Sequence, residues 1–238
     1  MIQIELPRTA EPVTALPFSG SNPAGDTVAV NSRYLTRNGK PWFPVSGEFH
    51  FSRYRMEDWK RELCKMKSGG ITLVSSYIFW IHHEEEEGVW DFSGQRDLRT
   101  FVRTCGEVGL PILLRIGPWC HGECRNGGFP DWIKFQKRFR TRTNDPDYLY
   151  YVRRWYTRIA EEIRGLLWED GGPIIGVQIE NEYQDYAEPD RDRRSAHMRT
   201  LRAMAEDCGF RVPIYTATAW GNATLNEMET LPVLGGYA

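Results

Sequence analysis

Apolar and polar positions alternate along the chain between two kinds of segment, a short apolar run and a longer amphipathic run. The short runs are rich in β-branched and aromatic residues, as buried strands are, and lie at residues 42–51, 71–80, 111–116, within 171–183, and 212–219. The longer runs have apolar residues at helical spacing and lie at residues 55–68, 97–108, 148–167 and about 192–208. Residues 232–237 have the pattern of the beginning of a sixth strand. The pattern predicts successive β/α units.

Alternating strands and helices of this length predict a parallel sheet, which is either doubly wound or closed as a barrel. No glycine-rich phosphate loop follows the first predicted strand, and its absence from the sequence disfavours a nucleotide-binding sheet. The 238 residues favour one domain, since a single α/β barrel needs about 250 residues.

The chain before the first unit has a different composition. Residues 1–26 are rich in Pro, Gly, Ser and Thr without periodicity, and we interpret them as an amino-terminal arm. Residues 27–30 and 34–36 flank a turn, and Asn38 and Gly39 form a second turn, which predicts a short antiparallel hairpin that closes one end of the domain. We therefore divide the chain into an arm, 1–26, and an α/β domain, 27–238.

The stretch 171–183 joins a buried-strand pattern directly to carboxylates. Successive side chains of a strand point to opposite faces. The apolar set of this strand should therefore face helices, and its polar set should face a barrel or cleft. The apolar set is Ile175, Val177 and Ile179, and the polar set is Gly176, Gln178, Glu180 and Glu182. Active sites of α/β barrels lie at the carboxyl ends of the strands, so Glu182 is a candidate general acid or base. The alternative is a buried structural ion pair.

The other strand ends also have hydrogen-bonding groups. Glu48 and His50 share parity on the first predicted strand, and Tyr77 ends the second. We expect these groups to reach one mouth together with Glu182, although Tyr77 and His50 could also be ordinary core residues. Arg115, on the third strand, is interpreted as the structural partner of a barrel carboxylate such as Glu180.

The glycine-rich segment 117–128 follows the third strand and contains Cys120, His121, Glu123 and Cys124. Thiolate, imidazole and carboxylate are zinc ligands, so a metallohydrolase site built from Cys120, His121 and Glu123 is one alternative. The spacing disfavours it, because Cys120 and Cys124 are four positions apart and no CxxC or HxxxH group occurs elsewhere to complete a tetrahedron. We favour a substrate-binding loop in which Glu123 binds hydroxyl groups.

Charge and composition exclude some classes of partner. The net charge of −2 gives no electrostatic footprint for nucleic acid or anionic membrane, whereas 13% aromatic residues suit a neutral substrate such as a sugar. The five cysteines are odd in number and dispersed, which predicts free thiols. No run approaches the ~18 apolar residues of a membrane span, and no secretory signal pattern opens the sequence, so we expect a cytoplasmic protein. The acidic run 84–87 is predicted to be a solvated turn.

Four segments together resemble the β-galactosidases of glycoside hydrolase family 35, over residues 34 to the end. They are GEFH at residues 47–50, YIFW at 77–80, the segment 117–130, and GGPIIGVQIENEY at 171–183, which is the most specific. The resemblance implies a (β/α)8 TIM barrel, of which this chain contains about the first five or six units.

The resemblance also implies a function. It makes Glu182 the general acid/base of a retaining glycosidase that releases terminal β-galactose from a β-galactoside or oligosaccharide, without metal or organic cofactor. By the same resemblance Asn181 binds the sugar beside the cleaved bond, and Tyr77 and Glu123 hold galactose hydroxyls. The family takes its nucleophile from the end of the seventh strand, so we expect that residue beyond position 238 and expect residues 1–238 alone to be an inactive amino-terminal fragment.

Two further hypotheses remain open beside this one. A barrel glycosidase of different sugar specificity would share most of these residues, because sugars that differ at one hydroxyl are distinguished by a few hydrogen bonds. A non-catalytic carbohydrate-binding protein would keep Tyr77, Glu123 and Asn181 without a nucleophile.

Overall fold

The computed structural model describes residues 11–12, 20–31, 33–184, 186–217 and 229–233. Its first element is an antiparallel sheet of four strands in chain order: β1 (Gly20–Ser21), β2 (Thr27–Val30), β3 (Leu35–Arg37) and β4 (Lys40–Trp42). The predicted hairpin is therefore confirmed, and the turn at Asn38 and Gly39 adds β4 to it. Most of the predicted arm, 1–26, lies outside the described residues, and Gly20–Ser21 pair with β2.

The second sheet has six parallel strands. They are β5 (Ser46–Glu48), β6 (Leu73–Tyr77), β7 (Ile112–Gly117), β8 (Ile174–Ile179), β9 (Ile214–Ala217) and β10 (Leu231–Val233). Each strand pairs with the next one along the chain. A doubly wound sheet would reverse its strand order at a switch point, so the unbroken order excludes that alternative and gives the first six strands of a (β/α)8 barrel.

The first predicted core strand, 42–51, was wrong in extent. The chain leaves the antiparallel sheet at Trp42 and enters the parallel sheet only at Ser46. Pro44 lies between the two strands and has no backbone N–H to donate to a ladder, so the strand cannot continue through it.

Four long helices cover the parallel sheet in the described part of the chain. They are α1 (Trp59–Ser68), α3 (Leu98–Val108), α4 (Pro146–Glu162) and α5 (Arg191–Asp207), and a short helix, α2 (Trp80–His83), follows β6. The Asp97 carboxylate accepts a hydrogen bond from Thr100 N at 2.8 Å and fixes the start of α3. Helix α4 ends five residues earlier than the prediction, before a turn in which Gly165 has a φ of +75°.

The main core lies between the parallel sheet and its helices, and its largest fully buried side chains are aromatic. Trp80 and Trp155 stack with 5.5 Å between ring centroids. Glu84, which the sequence placed in a solvated turn, is wholly buried beside them. Its Oε2 accepts from Trp80 Nε1 at 2.7 Å, and its Oε1 accepts from Arg154 Nη2 and Gly88 N, each at 2.8 Å. These donors replace water and make the burial of this carboxylate tolerable.

The floor of the barrel is apolar. Ile175 packs there with Leu73 of β6 and Val28 of the antiparallel sheet, instead of facing the helices as predicted. The register between β7 and β8 shifts at this point, because Ile112 pairs with Ile174 and Leu113 pairs with Gly176. The extra residue is a bulge, and a bulge resets the alternation of side chains.

All five cysteines are free, as predicted. Among the described helices, none combines the length and the apolar composition needed to cross a bilayer.

Candidate active site

A cavity of about 740 Å³ opens inside the barrel and reaches the carboxyl ends of its strands. Its wall contains all four residues that the sequence analysis assigned to the site: Tyr77, Glu123, Asn181 and Glu182. Glu48, His50 and Arg115 line the same cavity, so the strand ends do meet at one mouth.

The side-chain oxygen of Asn181 accepts several hydrogen bonds inside the cavity. Three donors converge on its Oδ1: Arg115 Nη2 at 2.7 Å, the Tyr77 hydroxyl at 3.2 Å and Gln178 Nε2 at 3.3 Å. No described residue accepts a hydrogen bond from its Nδ2. The amide is therefore oriented with its oxygen towards the protein and its NH2 group available to a bound hydroxyl.

Burial raises the pKa of the Tyr77 hydroxyl well above its usual range, an effect that the nearby Arg115 opposes and the Glu48 and Glu182 carboxylates add to. The hydroxyl consequently remains protonated and can donate at any physiological pH. It cannot serve as a base in this state.

Glu182 follows Asn181 where the chain leaves β8. Its backbone N–H donates to Ala217 O at 3.0 Å, at the end of β9, and its carbonyl accepts from the Tyr186 hydroxyl. The residue has a φ of +50°, a left-handed conformation that is uncommon for a glutamate. Its side chain is half-buried and lines the cavity, as a group that exchanges protons with a substrate and water must.

Glu180 does not point into the barrel, contrary to the parity prediction. It is 1% exposed, is not among the residues that line the cavity, and forms an ion pair with Arg142, whose Nη2 lies 2.7 Å from Glu180 Oε2. Strand β8 ends at Ile179, and Glu180 has a φ of +55°, so strand alternation no longer applies to it. Burial raises the pKa of Glu180, and the charge and hydrogen bonds of Arg142 oppose the rise.

Glu48 is the partner of Arg115, for which the sequence had suggested Glu180. Arg115 Nη1 lies 3.2 Å from Glu48 Oε2, and His50 Nε2 lies 3.4 Å from Glu48 Oε1. Burial disfavours the charged carboxylate, but the adjacent His50 ring and the charge of Arg115 outweigh that cost and hold the pKa of Glu48 below its usual range. Glu48 is therefore ionised at neutral pH.

Glu123 lies at the rim, where its side chain is 83% exposed. Arg53 Nη2 donates to the Glu123 carbonyl oxygen at 3.3 Å. This contact holds the backbone of Glu123 and leaves its carboxylate free of that hydrogen bond. Arg53 in turn lies over the Phe79 ring, 4.4 Å from its centroid, and contacts His50 Nδ1 at 3.1 Å. The Glu123 carboxylate is thus placed over the cavity with freedom to adjust to a ligand.

The three residues of the metal alternative do not converge. Cys120 is 1% exposed and its thiol donates to Ile78 O at 3.6 Å, whereas the Glu123 side chain is 83% exposed. Burial raises the pKa of the Cys120 thiol, which disfavours the thiolate that a metal requires. Among the described residues no three histidine, cysteine or carboxylate side chains are arranged to bind a metal ion.

Sequence reasoning missed Arg142 and Arg53. Arg142 belongs to a polar loop that also contains Arg138 and Arg140, and nothing in the local pattern distinguishes the buried arginine from its exposed neighbours. Arg53 follows the first strand with no periodicity that would assign it to the site.

Comparisons with known proteins identify the family to which the chain belongs. The model of the glycosyl hydrolases family 35 matches residues 34–233. A β-galactosidase of Xanthomonas manihotis is 36% identical over 197 residues, which are 82% of this chain and 32% of that protein. A β-galactosidase of Bos taurus is 39% identical over 161 residues, 68% of this chain and 24% of that protein. The chain thus spans about a quarter to a third of the length of these relatives.

Solved structures show the same fold at low sequence identity. A GH5_18 protein of Streptomyces cattleya, solved in complex with GlcNAc, has a TM-score of 0.59 and 16% identity and covers 74% of this chain and 44% of its own. An endo-1,4-β-D-mannanase of Thermotoga petrophila also has a TM-score of 0.59, with 10% identity, and covers 74% of this chain and 55% of its own. The family match runs from the beginning of β3 to the end of β10, and the chain belongs to glycosyl hydrolases family 35.

Proposed function

We propose that the protein containing this chain is a retaining β-galactosidase, in which Glu182 is the general acid/base. Asn181, Tyr77 and Glu123 bind the galactose, and the substrate is a β-galactoside or an oligosaccharide that ends in one. The observation that carries the proposal is the position of Glu182, half-buried on the cavity wall immediately after an amide that three donors orient. Galactose is proposed as the sugar because the relatives are β-galactosidases.

In the first step Glu182 gives its proton to the oxygen of the departing group while a second carboxylate attacks the anomeric carbon. In the second step Glu182 removes a proton from water, which attacks the same carbon and releases galactose with its configuration retained. The second carboxylate lies about 5–5.5 Å from the acid in such enzymes. By family resemblance it follows the seventh barrel strand.

Hydrogen-bond donors and acceptors on the cavity wall hold the sugar during both steps. The Asn181 NH2 group donates to the hydroxyl beside the cleaved bond, and the protonated Tyr77 hydroxyl is close enough to Asn181 to act on the same region of the ring. Glu123 accepts from galactose hydroxyls at the rim. Hydrogen bonds of this kind strengthen as charge develops at the anomeric centre and so accelerate the reaction.

The test uses the full-length protein and two substrates, an aryl β-galactoside with a good leaving group and an alkyl β-galactoside with a poor one. We expect Glu182→Gln to reduce turnover of the alkyl galactoside by roughly 10²- to 10⁴-fold, because its departure needs the acid. Azide should partly restore turnover of the aryl galactoside and yield β-galactosyl azide. Glu57→Gln, at an exposed carboxylate outside the cavity, is the control and should leave both rates unchanged.

Unaltered turnover in Glu182→Gln on both substrates would remove Glu182 from its role. Saturable galactose binding by the unaltered full-length protein, without hydrolysis of either substrate, would instead support the carbohydrate-binding hypothesis.

A further inference from the structure

Arg115 occupies the centre of the cavity wall without a part in the mechanism described above. Its side chain is 16% exposed, and its two terminal nitrogens point to different partners, Asn181 Oδ1 at 2.7 Å and Glu48 Oε2 at 3.2 Å. The guanidinium also lies over the ring of Tyr77, with Cζ 3.6 Å from the ring centroid. One side chain therefore contacts two of the residues assigned to sugar binding.

The hydrogen bond to Asn181 decides which way the amide faces. An asparagine side chain has nearly the same shape when its oxygen and nitrogen exchange places, so only its partners fix the orientation. The Tyr77 hydroxyl can donate or accept and would tolerate either orientation. Gln178 Nε2 is 3.3 Å away and also donates to Glu180 O, so its preference is weak.

Arg115 differs from these two partners because a guanidinium can only donate and is always charged. Its contact with Asn181 is the shortest of the three and is charge-assisted. If the amide turned over, two donors would face each other at 2.7 Å. Arg115 thus keeps the NH2 group of Asn181 directed into the cavity.

Glu48 completes the arrangement from the first barrel strand. It binds the second terminal nitrogen of Arg115 and is itself approached by His50 Nε2 at 3.4 Å. A buried arginine with no counter-ion would be drawn towards the Glu182 carboxylate, which lines the same cavity. The Glu48 carboxylate opposes that movement and keeps the guanidinium on Tyr77 and Asn181.

We propose that Arg115 is a positioning residue for glycoside hydrolysis, which holds the Asn181 amide in the orientation that donates to the hydroxyl beside the cleaved bond, and that Glu48 holds Arg115 in place. The inference rests on the proposed function. It assigns to the ion pair between the first and third barrel strands a role in catalysis that acts wholly through Asn181.

The test compares an aryl β-galactoside with its 2-deoxy analogue, which lacks the hydroxyl beside the cleaved bond, in the full-length protein. We expect Arg115→Met to reduce kcat/KM for the galactoside by roughly 10- to 100-fold, the size of a lost hydrogen bond to a developing charge, and to change kcat/KM for the 2-deoxy analogue less than about threefold. Asn181→Ala should show the same selectivity. In the double variant the loss should equal that of Asn181→Ala alone, since both changes remove one interaction.

Arg115→Lys retains a charge and a donor and should recover part of the activity on the galactoside. Glu48→Ala removes the anchor of Arg115, leaves the residues assigned to sugar binding in place and should give a smaller loss with the same selectivity, so a poorly folded Arg115→Met would not prevent a decision. Equal losses on the two substrates, or losses that multiply in the double variant, would overturn the positioning role. Absence of turnover in the unaltered protein would overturn the proposed function itself, and this inference with it.

Discussion

Arg142 Nη2 lies 2.7 Å from Glu180 Oε2, and this ion pair is buried directly behind the Asn181–Glu182 segment. The same nitrogen donates to Asn181 O at 3.0 Å, and the guanidinium lies between the rings of Trp119 and Tyr183, 4.7 and 5.1 Å from their centroids. The loop that follows the third barrel strand is thereby connected to the end of the fourth.

Arg142→Met should destabilise the protein by about 3–5 kcal/mol at neutral pH, because it leaves a buried carboxylate without its counter-ion. Chemical denaturation of the full-length protein measures the effect. Arg138→Met, an exposed position in the same loop, is the matched control and should stay within about 0.5 kcal/mol. Equal stability of Arg142→Met and the control would show that the pair contributes nothing.

The destabilisation in Arg142→Met should also depend on pH. The folded-state pKa of Glu180 is raised, and removal of Arg142 raises it further, so the folded variant binds a proton more readily than its unfolded state does. The cost should therefore be small below pH 4.5, the ordinary value for this carboxyl, and grow as pH rises towards 7. Denaturation of variant and unaltered protein at both ends of this range checks the sign. A difference that shrinks with rising pH would contradict it.

Glu84 offers a second buried carboxylate, with a neighbouring residue as control. Glu84→Ala should cost about 3–5 kcal/mol, since it leaves Arg154 and the Trp80 and Gly88 donors unpaired in a dry region. Glu85→Ala, one residue along and 75% exposed, should lie within about 0.5 kcal/mol of the unaltered protein. Thermal denaturation of both variants measures the difference in stability, and similar midpoints would refute the structural role of Glu84.

Buried histidines should make the fold sensitive to acid. Burial lowers the pKa of His83 and of His197 to about 3, from an ordinary value of 6.5. The unfolded chain then binds more protons than the folded protein between these values, so stability is complete above about pH 6.5 and falls below it. Each histidine contributes a slope of about 1.4 kcal/mol per pH unit. His197→Gln should flatten the measured slope between pH 6 and 4, and an unchanged slope would exclude His197 as a cause.

The described strands leave one side of β5 without a neighbour, and Phe43 and Val45 just before it are 92% and 49% exposed. Residues 1–238, produced alone, should therefore associate with increasing concentration, as open sheet edges do. The double variant Phe43→Lys/Val45→Lys should shift sedimentation towards the monomer, whereas Val89→Lys, an exposed position remote from β5, should not. Monomeric behaviour at every concentration would contradict this prediction.

The choice of the barrel and the roles expected of Asn181 and Tyr77 came from the family resemblance. Sequence reasoning from periodicity and strand direction predicted the parallel sheet and the edge at which its polar strand ends meet, because both are local properties of the sequence. It failed where one backbone angle or one inserted residue changed the direction in which the following side chains point. Alternation could not place Glu180 once a left-handed residue ended β8, and it could not anticipate the bulge that turns Ile175 inward.

Long-range pairing was the other limit. Arg115 meets Glu48 across 67 positions of sequence, and Arg142 meets Glu180 across 38. No local pattern selects one carboxylate over another at such separations. Glu84 shows the same limit. A run of four glutamates predicts a solvated turn, and only the fold brings Arg154 and the indoles of Trp80 and Trp132 around Glu84.

Val28 belongs to the antiparallel sheet yet packs against Leu73 and Ile175 on the barrel floor, six positions before the family match begins at residue 34. The packed core thus extends beyond the segment that the family model matches. A protein trimmed to residues 34–233 would lose Val28 and expose the apolar side chains of Leu73 and Ile175 to water, so strand β2 seals the lower end of the barrel.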